Sequence, residues 1–161
     1  MTLASLQAFG LSVETPAGWD GEIYRRDDGG LDLQAAGAEH VVEHRPVVHL
    51  STVPLPAVRG DFGGGVVSQL GSQDIFVTLF EYEPEAAATE LFATQGVPWP
   101  LALEDFDATT LRMPLPGQVG CQRFFTVNGR PFMLYVVLGS NAMRRLLVPT
   151  LNRALAGVAL G

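Results

Sequence analysis

The chain has 161 residues, of which 47% are hydrophobic and 17% are charged, a balance typical of a folded chain with one sizeable core. Its net charge of −7 disfavours binding to nucleic acid or to an anionic membrane, because both need a basic protein surface. All ten basic residues are Arg, which excludes enzymes that depend on a Schiff-base or P-loop lysine.

The first predicted elements are short strands. Residues 11–15 alternate between apolar and polar side chains, as a half-buried strand does. The turn Pro16-Ala17-Gly18 follows, and residues 22–26 are predicted to return as the second strand of a hairpin. Residues 31–44 have helical spacing interrupted by Gly37, so helix and loop both remain open there. Residues 47–53 are rich in β-branched side chains and predict a strand.

The central part of the chain mixes strands with short helices. A glycine-rich loop at residues 60–65 is followed by a predicted short helix over residues 66–70. Residues 74–82 are aromatic and β-branched, which predicts the clearest strand of this half. A helix is expected over residues 85–92 and a further strand over residues 106–113.

The C-terminal part predicts a hairpin and a long helix. Two apolar segments, residues 121–127 and 131–138, are joined by Asn128-Gly129, a strong β-hairpin signal because both residues tolerate positive φ. Residues 142–158 place apolar side chains on one stripe of an amphipathic helix. Pro149 is expected to kink this helix or to begin a second piece.

This order of elements predicts an α+β fold. Strands joined by tight turns favour a central antiparallel sheet of about five to seven strands, covered by helices and closed by a long C-terminal helix. No internal repeat or linker is visible, so residues 1–161 are expected to form a single domain.

Features of the sequence also predict where the protein is located. The first residues lack the cationic and apolar segments of a signal peptide. The longest apolar run, residues 132–138, is much shorter than the roughly 20 residues of a membrane-spanning helix. We therefore expect a cytoplasmic protein without membrane insertion, and a composition rich in Ala, Gly, Val and Pro suggests a bacterial source.

One segment matches a metal-site pattern. His40, Glu43 and His44 satisfy H-x-x-E-H, in which two histidines on one helical face bind zinc and the glutamate activates water. The enzymes that use this pattern need a further acidic ligand from a second helix, and Pro46 leaves little helix after His44. A solvated polar insertion explains the same residues, so no metal ligand is assigned.

The glycine-rich loop Gly60-Asp61-Phe62-Gly63-Gly64-Gly65 is a candidate ligand site. Backbone N–H groups at the start of a helix can hold an anion, although no Walker lysine follows this loop. A structural loop that needs positive φ explains the glycines as well. No cofactor-binding residue is assigned.

Other reactive groups have simpler explanations. Cys121 is the single cysteine, which excludes an intrachain disulfide, and it begins a predicted buried strand where a thiol acts as a small apolar group. Two clusters of acidic residues are more typical of a solvated surface than of a catalytic site. The first is Glu81, Glu83 and Glu85, and the second is Glu104, Asp105 and Asp107. No catalytic residue is assigned.

The two ends of the chain resemble the PsbP-like family. The residues that carry the resemblance are a strand followed by Pro16-Ala17-Gly18-Trp19, and Gly129-Arg130-Pro131-Phe132 at a hairpin turn before an apolar strand and a helix. The resemblance implies an α/β/α sandwich and non-enzymatic work, as in photosystem accessory subunits, bacterial lipoproteins and chaperones of secreted effectors. The family has no shared catalytic motif to transfer.

The sequence leaves three hypotheses about function. The first is a non-enzymatic adaptor whose partner is another protein, within a secretion or injection assembly or a homo-oligomer. Its motivation is the aromatic hairpin surface of Phe124, Phe125, Phe132 and Tyr135. The second is a metal-dependent hydrolase at His40, Glu43 and His44, and the third is a small anion or ligand site at Gly60–Gly65.

Overall fold

Two antiparallel sheets and one α-helix form the part of the chain that the computed structural model describes, residues 4–25 and 45–161. The predicted α+β class and antiparallel pairing are confirmed. In chain order the elements are β1 (Ala4–Ala8), β2 (Leu11–Thr15), β3 (Asp20–Arg25), β4 (Pro46–Ser51), β5 (Ile75–Glu81), β6 (Val119–Val127), β7 (Arg130–Leu138), α1 (Arg144–Leu155) and β8 (Val158–Leu160). Within these residues no helix is long and apolar enough to cross a membrane.

A small sheet has the strand order β1-β2-β8. Phe9 and Gly10 connect β1 to β2 with φ of 56° and 77°, the positive values that a two-residue hairpin turn needs. The predicted hairpin between β2 and the next strand is wrong. The turn after β2 is present, with Trp19 N–H donating to the Pro16 carbonyl at 3.1 Å, but β3 leaves it to pair with β4 in the other sheet.

The larger sheet has the strand order β3-β4-β5-β7-β6. Its β6–β7 hairpin is the predicted one, turning at Asn128 and Gly129 with φ of 50° and 77°. The predicted strands over residues 47–53 and 74–82 are confirmed as β4 and β5, with slightly shorter bounds.

Each face of this sheet carries its own apolar cluster, because successive side chains of a strand point to opposite sides. One face packs against α1 and the small sheet; its central residues include Leu50, Val77, Leu134 and Val136. The opposite face, which we call the loop face, carries Val47, Phe76, Phe80, Met133, Tyr135 and Val137. The loop face is covered by irregular chain around Phe62 and Leu111. Among the described residues no α-helix packs on this face.

Three predicted elements differ from the structure. Residues 66–70 form only a 3-10 turn, Val67–Gln69. The helix expected over residues 85–92 is two 3-10 turns, Pro84–Ala88 and Glu90–Phe92, because Thr89 between them has an extended backbone (φ −87°, ψ 157°). The strand expected over residues 106–113 is reduced to one bridge between Asp107 and Gly120, followed by a further 3-10 turn.

The predicted C-terminal helix is present as α1 and is shorter than expected. Leu147, Leu151 and Leu155 are buried along one side, as the stripe predicted. The helix continues through Pro149 as one element, so the prediction of a second helical piece is wrong. Val158 lies outside α1, in β8.

An ion pair ties the two sheets together. The Arg130 guanidinium donates to both carboxylate oxygens of Glu81, at 2.9 and 2.7 Å, within the larger sheet. The same guanidinium donates to the carbonyls of Phe9 and Gly10 in the β1–β2 turn, at 3.0 and 3.3 Å. One side chain therefore fixes the small hairpin against the larger sheet.

Candidate functional site

The glycine loop, residues 60–65, is folded back on itself over the loop face. Gly60 N–H donates to the Gly64 carbonyl at 2.8 Å and Gly63 N–H to the Gly60 carbonyl at 3.0 Å. Gly63 has φ of 88°, and a Cβ at this position would lie 2.6 Å from the Phe76 ring. Only glycine therefore fits this close approach, and the loop lies directly on the sheet.

A pocket of about 340 Å³ opens between this loop and the sheet; we call it the glycine-loop pocket. Its lining is Gly60, Asp61, Phe62, Gly64, Val67, Arg112, Met113, Tyr135 and Val137. Five of these nine are large apolar or aromatic residues, a lining typical of sites for small organic molecules. Met113 at its edge is 40% exposed, so an apolar side chain faces solvent beside the opening.

Phe62 forms one aromatic wall of the pocket. Its ring packs edge-on against Phe80 at 4.7 Å and Tyr135 at 5.6 Å between centroids. The Arg112 guanidinium lies 3.6 Å from the centroid of Phe62, a cation–π contact. The backbone N–H of Arg112 also donates to the Tyr135 hydroxyl at 2.9 Å. This hydrogen bond joins the 108–113 segment to the sheet.

Next to the pocket, a polar network centred on the buried His49 holds the glycine loop in place. We call its members, Glu22, Tyr24, His49, Arg59 and Asp61, the His49 cluster. His49 is fully buried on β4, and the Arg59 Nε–H donates to its Nδ1 at 2.8 Å. Because Nδ1 accepts this hydrogen bond, the imidazole carries its hydrogen on Nε2. The Nε2–H donates to the Asp61 carbonyl at 2.8 Å. The Tyr24 hydroxyl donates to the Asp61 carboxylate at 2.6 Å, and Arg59 pairs with Glu22.

The electrostatics of the His49 cluster fix its protonation. Burial, the largest cause, and the Arg59 charge together lower the pKa of His49 to about 4, against the opposing hydrogen bond to the Asp61 carbonyl. Burial raises the pKa of Tyr24, and its hydrogen bond to Asp61 raises it further. At neutral pH the imidazole is uncharged and the phenol keeps its proton. The cluster is thus equipped to anchor the loop rather than to exchange protons.

A second, smaller depression of about 180 Å³ lies beside this cluster. It is lined by Glu22, Tyr24, Ala57 and Arg59. Arg59 already pairs with Glu22 and His49, and the Tyr24 hydroxyl with Asp61. Because these polar groups bind one another, the depression is a weaker candidate than the glycine-loop pocket.

The residues of the metal-site hypothesis, His40, Glu43 and His44, lie outside the described residues. The helix-or-loop alternative for residues 31–44 lies outside them as well. Within residues 4–25 and 45–161, no group of three His, Cys, Asp or Glu side chains is placed to hold a metal ion.

The other groups singled out from the sequence have structural partners or surroundings. Cys121 is buried, and burial raises the pKa of its thiol to about 11. Of the acidic residues, Glu81 pairs with Arg130 and Asp105 with Arg123. In the aromatic hairpin, Phe125, Phe132 and Tyr135 are buried, and Phe124 is half-buried.

Sequence reasoning found the glycine loop but missed the side chains that surround it. His49 was the visible signal: a lone imidazole within the apolar strand Val47-Val48-His49-Leu50 implies a buried polar partner. Arg59 and Arg112 gave no such signal, because each lies in irregular chain and reaches its contacts across long sequence separations.

No model of a protein family, no curated protein and no solved structure matches this chain.

Proposed function

We propose that this protein is a binding domain whose ligand is a small, largely apolar organic molecule held in the glycine-loop pocket. The observation that carries the proposal is the lining of that pocket, in which Phe62, Val67, Met113, Tyr135 and Val137 surround about 340 Å³. Pockets of this size and character are the usual sites of small-molecule recognition.

The proposal refines the sequence hypothesis of an anion or ligand site at Gly60–Gly65. Gly60 and Gly63 use their N–H groups within the loop, and Val66 and Val67 donate theirs to the Gly63 carbonyl at 2.8 and 3.0 Å. These four donors are therefore already engaged. The apolar side chains of the pocket, more than the loop backbone, make it suited to a ligand.

Rigidity of the site also supports binding. The His49 cluster fixes Arg59 and Asp61 on either side of Gly60, and the Gly63 backbone rests on Phe76. A pocket wall anchored in this way loses little conformational freedom when a ligand enters, which favours affinity.

The test is a nuclear magnetic resonance titration with two probes of equal size, 3-phenylpropanamide and 3-phenylpropanoate. We expect at least one of them to shift the signals of Phe62, Val67 and Val137. The variant Gly64→Leu places a side chain at the pocket wall, where the nearest backbone atom to a new Cβ is 3.8 Å away, and should weaken binding. Shifts that are absent, or that fall only on Ala57 and Glu22, would refute the proposal.

The adaptor hypothesis stays a prediction, as do a cytoplasmic location and a part in a secretion or injection assembly. The aromatic hairpin does not support it, because Phe125, Phe132 and Tyr135 belong to the core. The exposed large apolar side chains of the described residues lie on separate segments; they are Phe9, Val58, Leu91, Val97, Met113 and Leu146.

The PsbP-like sandwich is likewise a proposal about architecture. What supports it is the antiparallel five-stranded sheet with α1 on one face. A second helical layer on the loop face would complete it. In the described part of the chain, that face is covered by the glycine loop and the segment around Leu111.

A further inference from the structure

The charge of Arg112 is not matched by a carboxylate at the glycine-loop pocket. No Asp or Glu among the described residues forms an ion pair with Arg112, whereas Arg59, Arg123 and Arg130 each have one. The Arg112 guanidinium instead lies against the face of Phe62, at 3.6 Å from its centroid. A guanidinium stacked in this way keeps the N–H groups at its edge directed outward in its own plane, where a planar anion can accept two of them.

Asp61, the acidic residue of the pocket lining, is engaged elsewhere. Its carboxylate accepts the Tyr24 hydroxyl at 2.6 Å, and its carbonyl accepts the His49 Nε2–H. The carboxylate is thereby held by Tyr24 within the His49 cluster. Among the described residues, Arg112 is the single cation of the lining, so the pocket offers an anionic group one strong partner.

Tyr135 provides a second polar group at the same wall. Its hydroxyl oxygen accepts the Arg112 backbone N–H, but within the described residues its own hydrogen has no acceptor. Tyr135 is 2% exposed as a whole residue and belongs to the lining of the glycine-loop pocket. A buried donor without an acceptor is costly, and a ligand oxygen would relieve that cost.

The size of the pocket limits the rest of the ligand. At the roughly 30 Å³ that each water molecule takes in the liquid, 340 Å³ holds about eleven non-hydrogen atoms. This is the size of one aromatic ring with a short acid side chain. Phe62, Val67 and Val137 would contact such a ring.

We infer that the glycine-loop pocket takes a small apolar monocarboxylate, with the carboxylate bound by the Arg112 guanidinium and the Tyr135 hydroxyl. This inference rests on the proposed function, since it names the chemical class of the ligand for the same pocket. It adds a preference for charge that the apolar lining alone does not provide.

The experiment compares 3-phenylpropanoate with 3-phenylpropanamide, which has the same number of non-hydrogen atoms and no charge, by isothermal titration at low salt. The wild-type protein should bind the carboxylate about ten-fold or more tightly than the amide, as expected for hydrogen bonds to a charged group. Arg112→Gln should bring the two affinities together. Arg145→Gln is the matched control, since it removes the same charge from the exposed side of α1 and should leave the preference intact.

Tyr135→Phe removes the second contact, together with the acceptor of the Arg112 backbone N–H. It should weaken carboxylate binding by about three-fold to ten-fold, as loss of one hydrogen bond predicts. Urea unfolding of each variant without ligand shows that the fold is retained.

The possible outcomes separate the two proposals. Equal affinity of wild-type protein for both probes, or a carboxylate preference that survives in Arg112→Gln, would overturn this inference and leave the proposed function standing. Absence of binding by both probes at millimolar concentration would overturn both. Tight binding of the carboxylate alone, lost in Arg112→Gln and kept in Arg145→Gln, would support both.

Discussion

Replacing His49 by Gln should make the folded protein less sensitive to acid. His49 has an ordinary pKa of 6.5 and a pKa of about 4 in the fold, where burial is the main cause. Between these two values the unfolded chain binds a proton that the folded chain does not, so stability falls as the pH is lowered from 6.5 toward 4. Gln does not titrate. Its amide can still accept from Arg59 and donate to the Asp61 carbonyl, the two bonds that the imidazole makes.

The size of the effect follows from the shift. A lowering of the pKa from 6.5 to about 4, at about 1.4 kcal/mol per unit, corresponds to about 3 kcal/mol of stability lost across the whole range. About 2 kcal/mol of this should appear between pH 7 and pH 5, because His49 of the unfolded chain is largely protonated at the lower value. The charged groups that face His49 are Glu22, Arg59 and Asp61, with Tyr24 beside them, and all are kept in the variant.

The assay is urea unfolding at several pH values, followed by the fluorescence of the half-buried Trp19 and Trp99. The difference between the wild-type and His49→Gln free energies of unfolding cancels the other titrating groups. It should decrease by about 2 kcal/mol from pH 7 to pH 5. Two curves that stay parallel over this range would show that His49 is not buried in its neutral form, and the description of the cluster would be wrong.

Three further predictions concern the loop, the thiol and the ion pair. In urea unfolding, Gly63→Ala should destabilise the fold by about 1–3 kcal/mol more than Gly96→Ala. Both glycines have positive φ, but only at Gly63 would a new Cβ collide with a ring, that of Phe76, so equal losses would contradict this explanation. Cys121 should react with a thiol reagent at pH 8 far more slowly in the native protein than in urea, and rapid native labelling would show that it is accessible. Arg130→Met should lower the free energy of unfolding by about 2–3 kcal/mol, because it leaves the buried Glu81 carboxylate unpaired. Adding Glu81→Met should recover most of this stability, and no recovery would assign the loss to other contacts of Arg130.

The parts of the fold that the sequence predicted are those with strong local signals. Asn128-Gly129 between two apolar runs determined the β6–β7 hairpin, and the aromatic run of β5 determined a central strand. Both signals lie within about ten residues of the structure they describe, so no information about distant partners was needed.

The strands β1 and β8 were missed because their sequences carry little information. β1 is Ala-Ser-Leu-Gln-Ala, mostly exposed, and β8 has three residues a short turn after α1. Within the described part of the chain both strands pair with β2 alone, and the pairing depends on tertiary structure. For the same reason the sequence paired β2 with β3, its nearest predicted neighbour.

Of the candidate site, only the glycine loop was predictable from the sequence. The run of glycines indicated a special loop, and Gly63 does need its positive φ and its close approach to Phe76. Arg112 and Tyr135 are 23 residues apart, and no spacing rule connects them. They meet because β7 places Tyr135 on the loop face while the 108–113 segment crosses that face from outside.

The pairing of β2 with β8 has a consequence for how the chain folds during synthesis. Leu11 lies opposite Leu160, so β2 pairs with a strand that lies far along the chain and is made long after it. Closing so large a loop is slow relative to forming the adjacent hairpins. The larger sheet can assemble first, while the outer edge of β2 stays open to other strands until β8 has formed.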